Sequence, residues 1–598
     1  MEAPFARGLS LTSNRRAGRA QRLGRMLARA QRATLAGCAF ALPLAVLWNA
    51  SDSYVLPKLL IVRTLALLLA ALWLARGVLE RQLLVRRTLL DIPLLAFVVS
   101  AGISTLFAVN HNLGLIGAYD RYEGLLTIVS YAAVFWLTVQ TLRGPDSAQA
   151  LLRVLLVSGY VAAVFAIGQA LLASAHGVGA GESAFTFSGL ARAQGTMGNP
   201  NLLATFLAML APLVLNEAIG SASFWMRFAW INVLAVMSLA LLLSFVRAAW
   251  VGAAVALAIV GFARVRPWRK PRLLVGTVTA VALAGAVLTV PARGGLEVGH
   301  SILARVGSIA DPTAGSNATR LHVWQDSVRL IASRPLLGYG PDSFGLVYPH
   351  FQTGNWTPGF RIDKAHADAL QVASTQGLVG LAAYLGLLLA SVLMFWRARK
   401  RASTLALFAA WLAYQLPTQV NFSWLPAAAP FWLFLGAAAV LCIGPENRVQ
   451  QLSIHRPCRA AAAIAAGGAA LLLLVPAVVR PYQAESRFSA ALQAELRGDL
   501  AAALPLLEDA RRLAPDNPVY AVGAGNLMLR TGRIDQARMA FKSAIERGSE
   551  DAAAYRSLAI IDQLTGNRAE AIWAAEKGFQ LDRFSRASQE LLNQTTAQ

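Results

Sequence analysis

The feature that most constrains this chain is a series of long apolar segments that recur between residues 33 and 480. A helix needs about 17–25 predominantly apolar residues to cross a bilayer, and segments of this length predict about thirteen membrane-spanning helices. The predicted spans are 33–50, 56–75, 89–107, 124–142, 151–173, 200–218, 228–245, 247–263, 273–291, 376–396, 403–419, 427–444 and 460–480. The expected fold class is therefore all-α, in the form of a polytopic helical membrane protein.

The composition supports a chain that lies mostly in lipid. Hydrophobic residues make up 56% and charged residues only 14%, whereas about a quarter of the residues of a soluble protein are charged. Lys and Arg outnumber Asp and Glu by 54 to 31. In a polytopic protein such an excess concentrates in the cytoplasmic connections, so we expect no nucleic-acid partner.

Basic residues alternate between successive connections. If the Arg-rich segment 1–32 is cytoplasmic, every second connection carries Arg or Lys and the intervening connections are poor in both. Under the positive-inside rule this pattern predicts a cytoplasmic N-terminus, a transmembrane domain at 33–480 and a large external loop at 292–375. It also places the C-terminal domain, residues 484–598, outside.

Small residues recur with a period of 34 in the C-terminal domain. They are Gly498, Gly532 and Gly566, together with Ala503, Ala537 and Ala571. A 34-residue helix–turn–helix repeat with small residues at fixed positions is typical of tetratricopeptide repeats. The sequence therefore predicts an α-solenoid of about three repeats over residues 484–585. Its expected role is docking of a partner protein or self-association, with a passive cap on the membrane domain as the alternative.

The predicted external face carries the residues suited to chemistry. His366 ends the loop just before an apolar run, and imidazole has the pKa that a general base needs near neutrality. Arg320 and Trp324 would share one face of a helix, and Arg makes bidentate contacts to phosphate. Arg247 stands between apolar residues at the predicted external end of a span, where a charge is costly and is a functional candidate. This pattern predicts a site for an anionic, lipid-borne substrate.

Several other kinds of site are not indicated. The chain has no phosphate-cradling GxxxxGK[ST] motif, no HExxH motif and no metal-type spacing of Cys and His. We therefore predict no metal and no cofactor, and an ATP-driven transporter is disfavoured. The three cysteines, Cys38, Cys442 and Cys458, do not form a disulfide framework.

As a set, these residues resemble the O-antigen ligase superfamily, which includes O-antigen ligases, O-antigen polymerases and O-linked protein oligosaccharyltransferases. The resemblance covers about residues 35–445, and the repeats are an appendage. The matching pieces are Gly198-Asn199-Pro200-Asn201, Arg247-Ala248-Ala249-Trp250, Arg320 with Trp324, Pro335 to Gly340, and His366 through Gly377 to Gly380.

The resemblance implies an integral membrane glycosyltransferase, metal-independent and inverting, in the bacterial cytoplasmic (inner) membrane. It would transfer a glycan from undecaprenyl diphosphate to an acceptor hydroxyl on the external face, where the acceptor is a glycan, a lipid or a protein. His366 would be the general base, and Arg320 and Arg247 would hold the diphosphate. The further substrate-binding candidates are Arg192, Lys58, Arg121, Asn199, Asn201, Trp324, Tyr339 and Gln371.

Several functions remain open at this point. Within the superfamily we favour a ligase, with a polysaccharide polymerase or a protein O-oligosaccharyltransferase as alternatives. A lipid or glycolipid transporter or flippase would instead require paired ionisable residues at mid-membrane and internal repeats among the spans. A docking scaffold built around the repeats predicts that His366→Ala is harmless.

Overall fold

The computed structural model describes residues 5–175, 186–187, 190–265, 315–354, 356–401, 403–443, 449–454 and 457–597. The predicted span 273–291 and residues 292–314 of the predicted loop lie outside the described residues. Within the described part the protein is all-α except for short antiparallel strand pairs. The strands are β1 (Gln82–Arg86) with β4 (Val449–Ser453), and β2 (Thr186–Phe187) with β3 (Leu190–Ala191).

The membrane region is built from helices joined mostly by short connections. The helices before the predicted loop are α1 (Phe5–Ala41), α2 (Val55–Glu80), α3 (Asp91–Leu106), α4 (His111–Ile116), α5 (Leu125–Thr141), α6 (Pro145–Ala175), α7 (Pro200–Gly220), α8 (Phe224–Leu243) and α9 (Arg247–Val265). Those that follow are α10 (Gly315–Ser333), α11 (Phe344–Val347), α12 (Asp368–Arg397), α13 (Thr404–Thr418), α14 (Leu425–Cys442) and α15 (Pro457–Leu472).

The predicted number of about thirteen spans is not confirmed. Among the described residues, eight helices are long and apolar enough to cross a membrane. Other predicted spans form shorter helices: α3 has 16 residues, α5 has 17 and α13 has 15. The predicted span 33–50 is helical only as far as Ala41, where α1 ends. The length of a hydrophobic run in the sequence does not show where a turn ends the helix.

The centre of the bundle is formed by α7 and α14, each 83% buried along its apolar stretch. Helix α7 packs against α8, α9 and α13, and α14 packs against α5 and α6. Leu203, Phe206 and Phe434 are among the fully buried side chains of this core. Helices α7 and α14 are enclosed by the helices that pack on them. The candidate site lies at the ends of those surrounding helices.

The turn after α10 is inserted into a break in α12. At Gly377 the backbone leaves the helical conformation, with φ 68° and ψ −170°. The Leu378 N–H donates to the Pro335 carbonyl (2.7 Å), and the Gly340 N–H donates to the Thr375 carbonyl (2.8 Å). A Cβ at Gly377 would lie 2.1 Å from the Leu336 carbonyl oxygen, so only glycine is accommodated. The two glycine-bearing motifs of the sequence thus form one unit that fixes α10 against α12.

The C-terminal region is a stack of antiparallel helices. They are α16 (Arg480–Leu496), α17 (Leu500–Leu513), α18 (Pro518–Arg530), α19 (Ile534–Glu546), α20 (Ala552–Leu564), α21 (Arg568–Leu581) and α22 (Arg586–Ala597). Gly498, Gly532 and Gly566 follow α16, α18 and α20 with φ of 79°, 75° and 79°, the left-handed conformation that ends a helix. Helix α15 continues through a π-helical segment (Val475–Val479) into α16, so the solenoid grows directly out of the membrane region.

The solenoid packs onto one end of the bundle, which we call the repeat-side face. This face comprises residues 43–54, 108–123, 190–199, 334–354, 356–367 and 419–424, which are joined to one another or to the solenoid by hydrogen bonds or ring contacts. The basic connections around Arg86 and Arg401 lie at the other end, where β1 pairs with β4 and Arg401 donates to the Leu441 carbonyl.

Candidate active site

His366 lies on the repeat-side face, in the segment that leads into α12. Its backbone is left-handed, with φ 52°, a conformation that is unfavourable for a residue with a side chain. The Trp324 indole donates to its carbonyl oxygen (3.3 Å) and the imidazole packs against the Phe422 ring, with centroids 5.2 Å apart. These contacts orient the imidazole.

The electrostatic environment keeps the imidazole neutral. Burial, and after it the nearby Arg320 guanidinium, lower the pKa of His366, which is about 4. Asp363 and the Asn421 side chain oppose this shift but do not outweigh it. A neutral imidazole at pH 7 has a lone pair available to accept a proton.

Helix α10 brings the two predicted arginines and the histidine to one place. Asn317, Arg320 and Trp324 are spaced by three and four residues, so they share one face of the helix. Asn317 accepts a hydrogen bond from Arg247 Nη2 (2.6 Å) at the start of α9, while Trp324 contacts the histidine backbone. The first turns of α10 therefore carry the Arg320 guanidinium. The Arg247 guanidinium of α9 and the His366 imidazole lie beside the same helix face.

Arg192 is held beside this group. Its Nε donates to the Ser244 carbonyl (2.8 Å) at the end of α8, just ahead of Arg247. Phe245, between them, has φ 54°, so the chain turns sharply from α8 into α9. The turn places Arg247 at the first position of α9, where it is 7% exposed.

Asn421 is a residue that the sequence analysis missed. It is 1% exposed and lies close enough to His366 to raise the pKa of the imidazole, but neither its Oδ1 nor its Nδ2 makes a hydrogen bond of ordinary geometry among the described residues. The same holds for His366 Nδ1. Buried polar atoms are normally paired, so these atoms form a polar surface suited to a hydroxyl group. Asn421 stands in an ordinary polar connection between two apolar runs, and nothing in its spacing marks it out.

Lys58, a predicted substrate contact, is instead occupied within the protein. Its side chain is fully buried, and Nζ donates to the carbonyls of Ala45 (2.7 Å), Tyr54 (2.9 Å) and Thr196 (2.7 Å). An ammonium group has three N–H donors, and all three are used here. The residue joins the segment before α2 to the segment before α7.

We therefore expect Lys58→Met to lower the free energy of unfolding by about 3 kcal/mol or more, because it leaves buried carbonyls without a donor. Thermal unfolding in detergent measures this effect, and Lys400→Met, at an exposed position, is the matched control. A variant with unchanged stability and a large loss of substrate affinity would instead support the original prediction.

Arg121 is also engaged inside the protein. Its guanidinium contacts Asp342 (3.1 Å), Asp363 (3.0 Å) and Glu550 (2.9 Å) and is 5% exposed. Burial by itself would raise the pKa of Asp363, but Arg121 and Lys364 hold that pKa below its usual value. The carboxylates use the donors that a diphosphate would need, so the structure assigns Arg121 to a buried ion-pair cluster.

The remaining candidates mainly shape the site. Asn199 caps α7, since its Oδ1 accepts from the Asn201 N–H (2.8 Å). Gln371 Oε1 accepts from the Ala365 N–H (2.8 Å) and so fixes the segment before His366. The Tyr339 hydroxyl lies 2.7 Å from the Ser333 hydroxyl at the end of α10.

A cavity of about 170 Å³ adjoins the site between α3, α5, α12, α13 and α14. Most of its wall is apolar or aromatic, and Lys364, Asp368 and Gln371 line it next to the histidine segment. An apolar space with a few convergent polar groups is typical of a ligand-binding pocket.

Two parts of the chain match known families. Residues 233–385 match the family model described as O-antigen ligase, and residues 494–561 match the model described as tetratricopeptide repeat. Arg247, Arg320 and His366 all fall within the first match. Lys58 and Arg121 lie before it.

The wider comparisons add little. A comparison with curated proteins finds no match. Matching solved structures include the crystal structure of the APC/C hetero-tetramer Cut9-Hcn1, at 10% identity over 79% of this chain and 91% of that chain, with a TM-score of 0.18. Another is the crystal structure of the yeast Tom70, at 11% identity over 66% and 73%, with a TM-score of 0.17. Those TM-scores are too low for either structure to bear on the fold.

Proposed function

We propose that this chain, of which residues 233–385 match the O-antigen ligase model and residues 494–561 the tetratricopeptide-repeat model, is an O-antigen ligase-like membrane protein that transfers a glycan from undecaprenyl diphosphate to an acceptor hydroxyl. The observation that carries the proposal is the convergence on α10. One helix face contacts Arg247, carries Arg320 and orients His366. Two cations that suit a diphosphate thus stand beside a neutral base.

The proposed reaction is a single displacement. His366 accepts the proton of the acceptor hydroxyl as the oxygen attacks the anomeric carbon of the donor sugar. The bond between that carbon and the diphosphate oxygen breaks on the opposite face, so the anomeric configuration inverts. Arg247 and Arg320 stabilise the negative charge that grows on the departing diphosphate. The lipid diphosphate and the elongated acceptor are the products, and the proton remains on the imidazole until it is lost to solvent.

The acceptor decides among the related activities. A ligase would use a finished glycolipid or surface acceptor, a polymerase a second lipid-linked glycan, and a protein oligosaccharyltransferase a serine or threonine hydroxyl. We place the reaction on the repeat-side face and propose that this face is external in the bacterial inner membrane, because the basic connections lie at the opposite end. Identifying the acceptor in the product separates the three.

The direct test uses the purified protein and an undecaprenyl-diphosphate-linked glycan. With a chelator present, release of lipid diphosphate should require an acceptor and should yield a product of inverted configuration. Release that depends on an added divalent metal, or a product of retained configuration, would contradict the proposed reaction.

The pH dependence of kcat/KM gives a second test. The base acts only when neutral, so the rate should be level from roughly pH 6 to 8 and should fall only as pH drops toward the His366 pKa of about 4. A histidine with an unperturbed pKa of about 6.5 would already lose activity below pH 7. A profile measured between pH 4 and 8 that has its midpoint near 6.5 would contradict the buried, cation-flanked environment.

A further inference from the structure

The repeat region is joined to the membrane region by specific buried contacts. The Glu485 carboxylate, 1% exposed, accepts from the Asp52 N–H (2.8 Å) and the Tyr119 hydroxyl (3.0 Å). Asn112 Nδ2 donates to the carbonyls of Asp516 and Arg547, each at 2.8 Å. The first repeats therefore pack against the connections that precede α2 and α5.

A further contact reaches the histidine segment. Glu550 lies between α19 and α20, with its side chain 6% exposed. Its oxygens accept from Arg121 Nη2 (3.0 and 2.9 Å) and it also pairs with Arg361. Arg121 in turn pairs with Asp363, three residues before His366. Glu550 thus acts on this segment directly through Arg361 and indirectly through Arg121.

The segment needs such support because its backbone is strained. His366 has φ 52°, and Tyr122 and Asp342, which adjoin the same ion pairs, have φ of 54° and 55°. Left-handed backbone at residues with side chains persists only where the surrounding structure enforces it. Asp342 accepts from the Ala118 N–H (2.8 Å) as well as from Arg121. The cluster therefore ties three strained residues together.

The cluster pairs three carboxylates with three cations, and the carboxylates of Asp120 and Glu123 lie near Arg121 and Lys364. Asp342, Asp363 and Glu550 face Arg121, Arg361 and Lys364. Removing the carboxylate of Glu550 takes away the only repeat-region carboxylate paired with Arg121 and Arg361 among the described residues. The amide of glutamine has nearly the same shape, so the change isolates the charge.

We propose that Glu550 of the repeat region is a positioning residue for His366, holding residues 361–366 through Arg121 and Arg361. The repeats are then part of the active-site architecture rather than an appendage. The inference rests on the proposed function for the role of His366 in transfer, but not for the mechanical coupling itself.

The test compares full-length Glu550→Gln with the unchanged protein. We expect kcat to fall roughly ten- to a hundredfold, the cost of a misplaced catalytic group, with KM for the lipid-linked donor unchanged. Hydrogen exchange of the amides of residues 361–367 should become faster. Glu550→Asp, which keeps the charge, should restore part of kcat and part of the protection of these amides from exchange. Glu508 lies in the same solenoid but pairs with Arg511 outside the cluster. Glu508→Gln should therefore change neither kcat nor the exchange of residues 361–367.

The exchange readout separates this inference from the proposed function. If the unchanged protein transfers no glycan, the proposed function fails, and faster exchange in Glu550→Gln still supports the coupling. Unchanged exchange at 361–367 would overturn the inference whatever happens to the rate. If Glu550→Gln does not fold, Arg361→Gln removes the direct ion pair from the other side, and wild-type values of kcat and of amide exchange in that variant would overturn the inference.

Discussion

Replacing His366 with alanine is expected to lower kcat for glycan transfer by roughly a hundred- to ten-thousandfold, the usual contribution of a general base. The imidazole is the only part of the proposed site that accepts the proton of the incoming hydroxyl, and its neutral state at pH 7 makes it competent to do so. KM for the donor should change little, because the diphosphate is held by the arginines. Single-turnover release of lipid diphosphate measures the chemical step directly.

His322→Ala is the matched control, since His322 is an exposed histidine on α10 and should be replaceable without loss. The comparison also tests the scaffold hypothesis. Removing the repeats should impair the protein under both accounts, but a pure scaffold would be indifferent to His366. A His366→Ala protein that folds and transfers glycan at the normal rate would exclude general-base catalysis by this residue.

Arg320→Ala should cost about a hundredfold or more in kcat, because a preorganised cation that meets the developing charge of the leaving group is lost. Lysine should restore little, since it lacks the planar fork that binds two phosphate oxygens. The substitution should also raise the pKa of His366, because the guanidinium now lowers it. The acid limb of the pH–rate profile should therefore move upward from about 4 toward neutrality.

Arg329→Ala provides the comparison on the same helix. Arg329 lies nine residues along α10, half a turn round from Arg320, and pairs with Asp326 instead of facing the histidine. Its removal should leave both the rate and the acid limb in place. If Arg320→Ala and Arg329→Ala behave alike, the effect belongs to the helix as a whole and not to the proposed phosphate contact.

The sequence was most informative where a local pattern determines the structure. The 34-residue period predicted the turns between repeat helices, where Gly498, Gly532 and Gly566 lie, because a turn depends on a few adjacent residues. The i, i+4 spacing likewise placed Arg320 and Trp324 on one helical face. Long-range pairing is different. Arg121 and Glu550 are separated by 429 residues, and no pattern in either segment indicates the other.

Residue type alone also could not separate a binding arginine or lysine from a structural one. Lys58 and Arg247 both stand at the end of an apolar helix, and each was a reasonable phosphate ligand. Only the structure shows that the Lys58 ammonium is used by three carbonyls, while Arg247 reaches the face of α10 beside Arg320 and His366. The predicted number of about thirteen spans is not confirmed for a related reason, because hydrophobicity does not reveal where a helix stops.

The most direct measurement is an experimental structure of the protein with undecaprenyl diphosphate bound. The account predicts that the two phosphates lie between Arg247 and Arg320, within hydrogen-bond distance of both guanidiniums, and that the His366 imidazole faces the position of the missing sugar. Well-ordered lipid diphosphate bound elsewhere, for instance at the basic connections on the opposite end of the bundle, would contradict it.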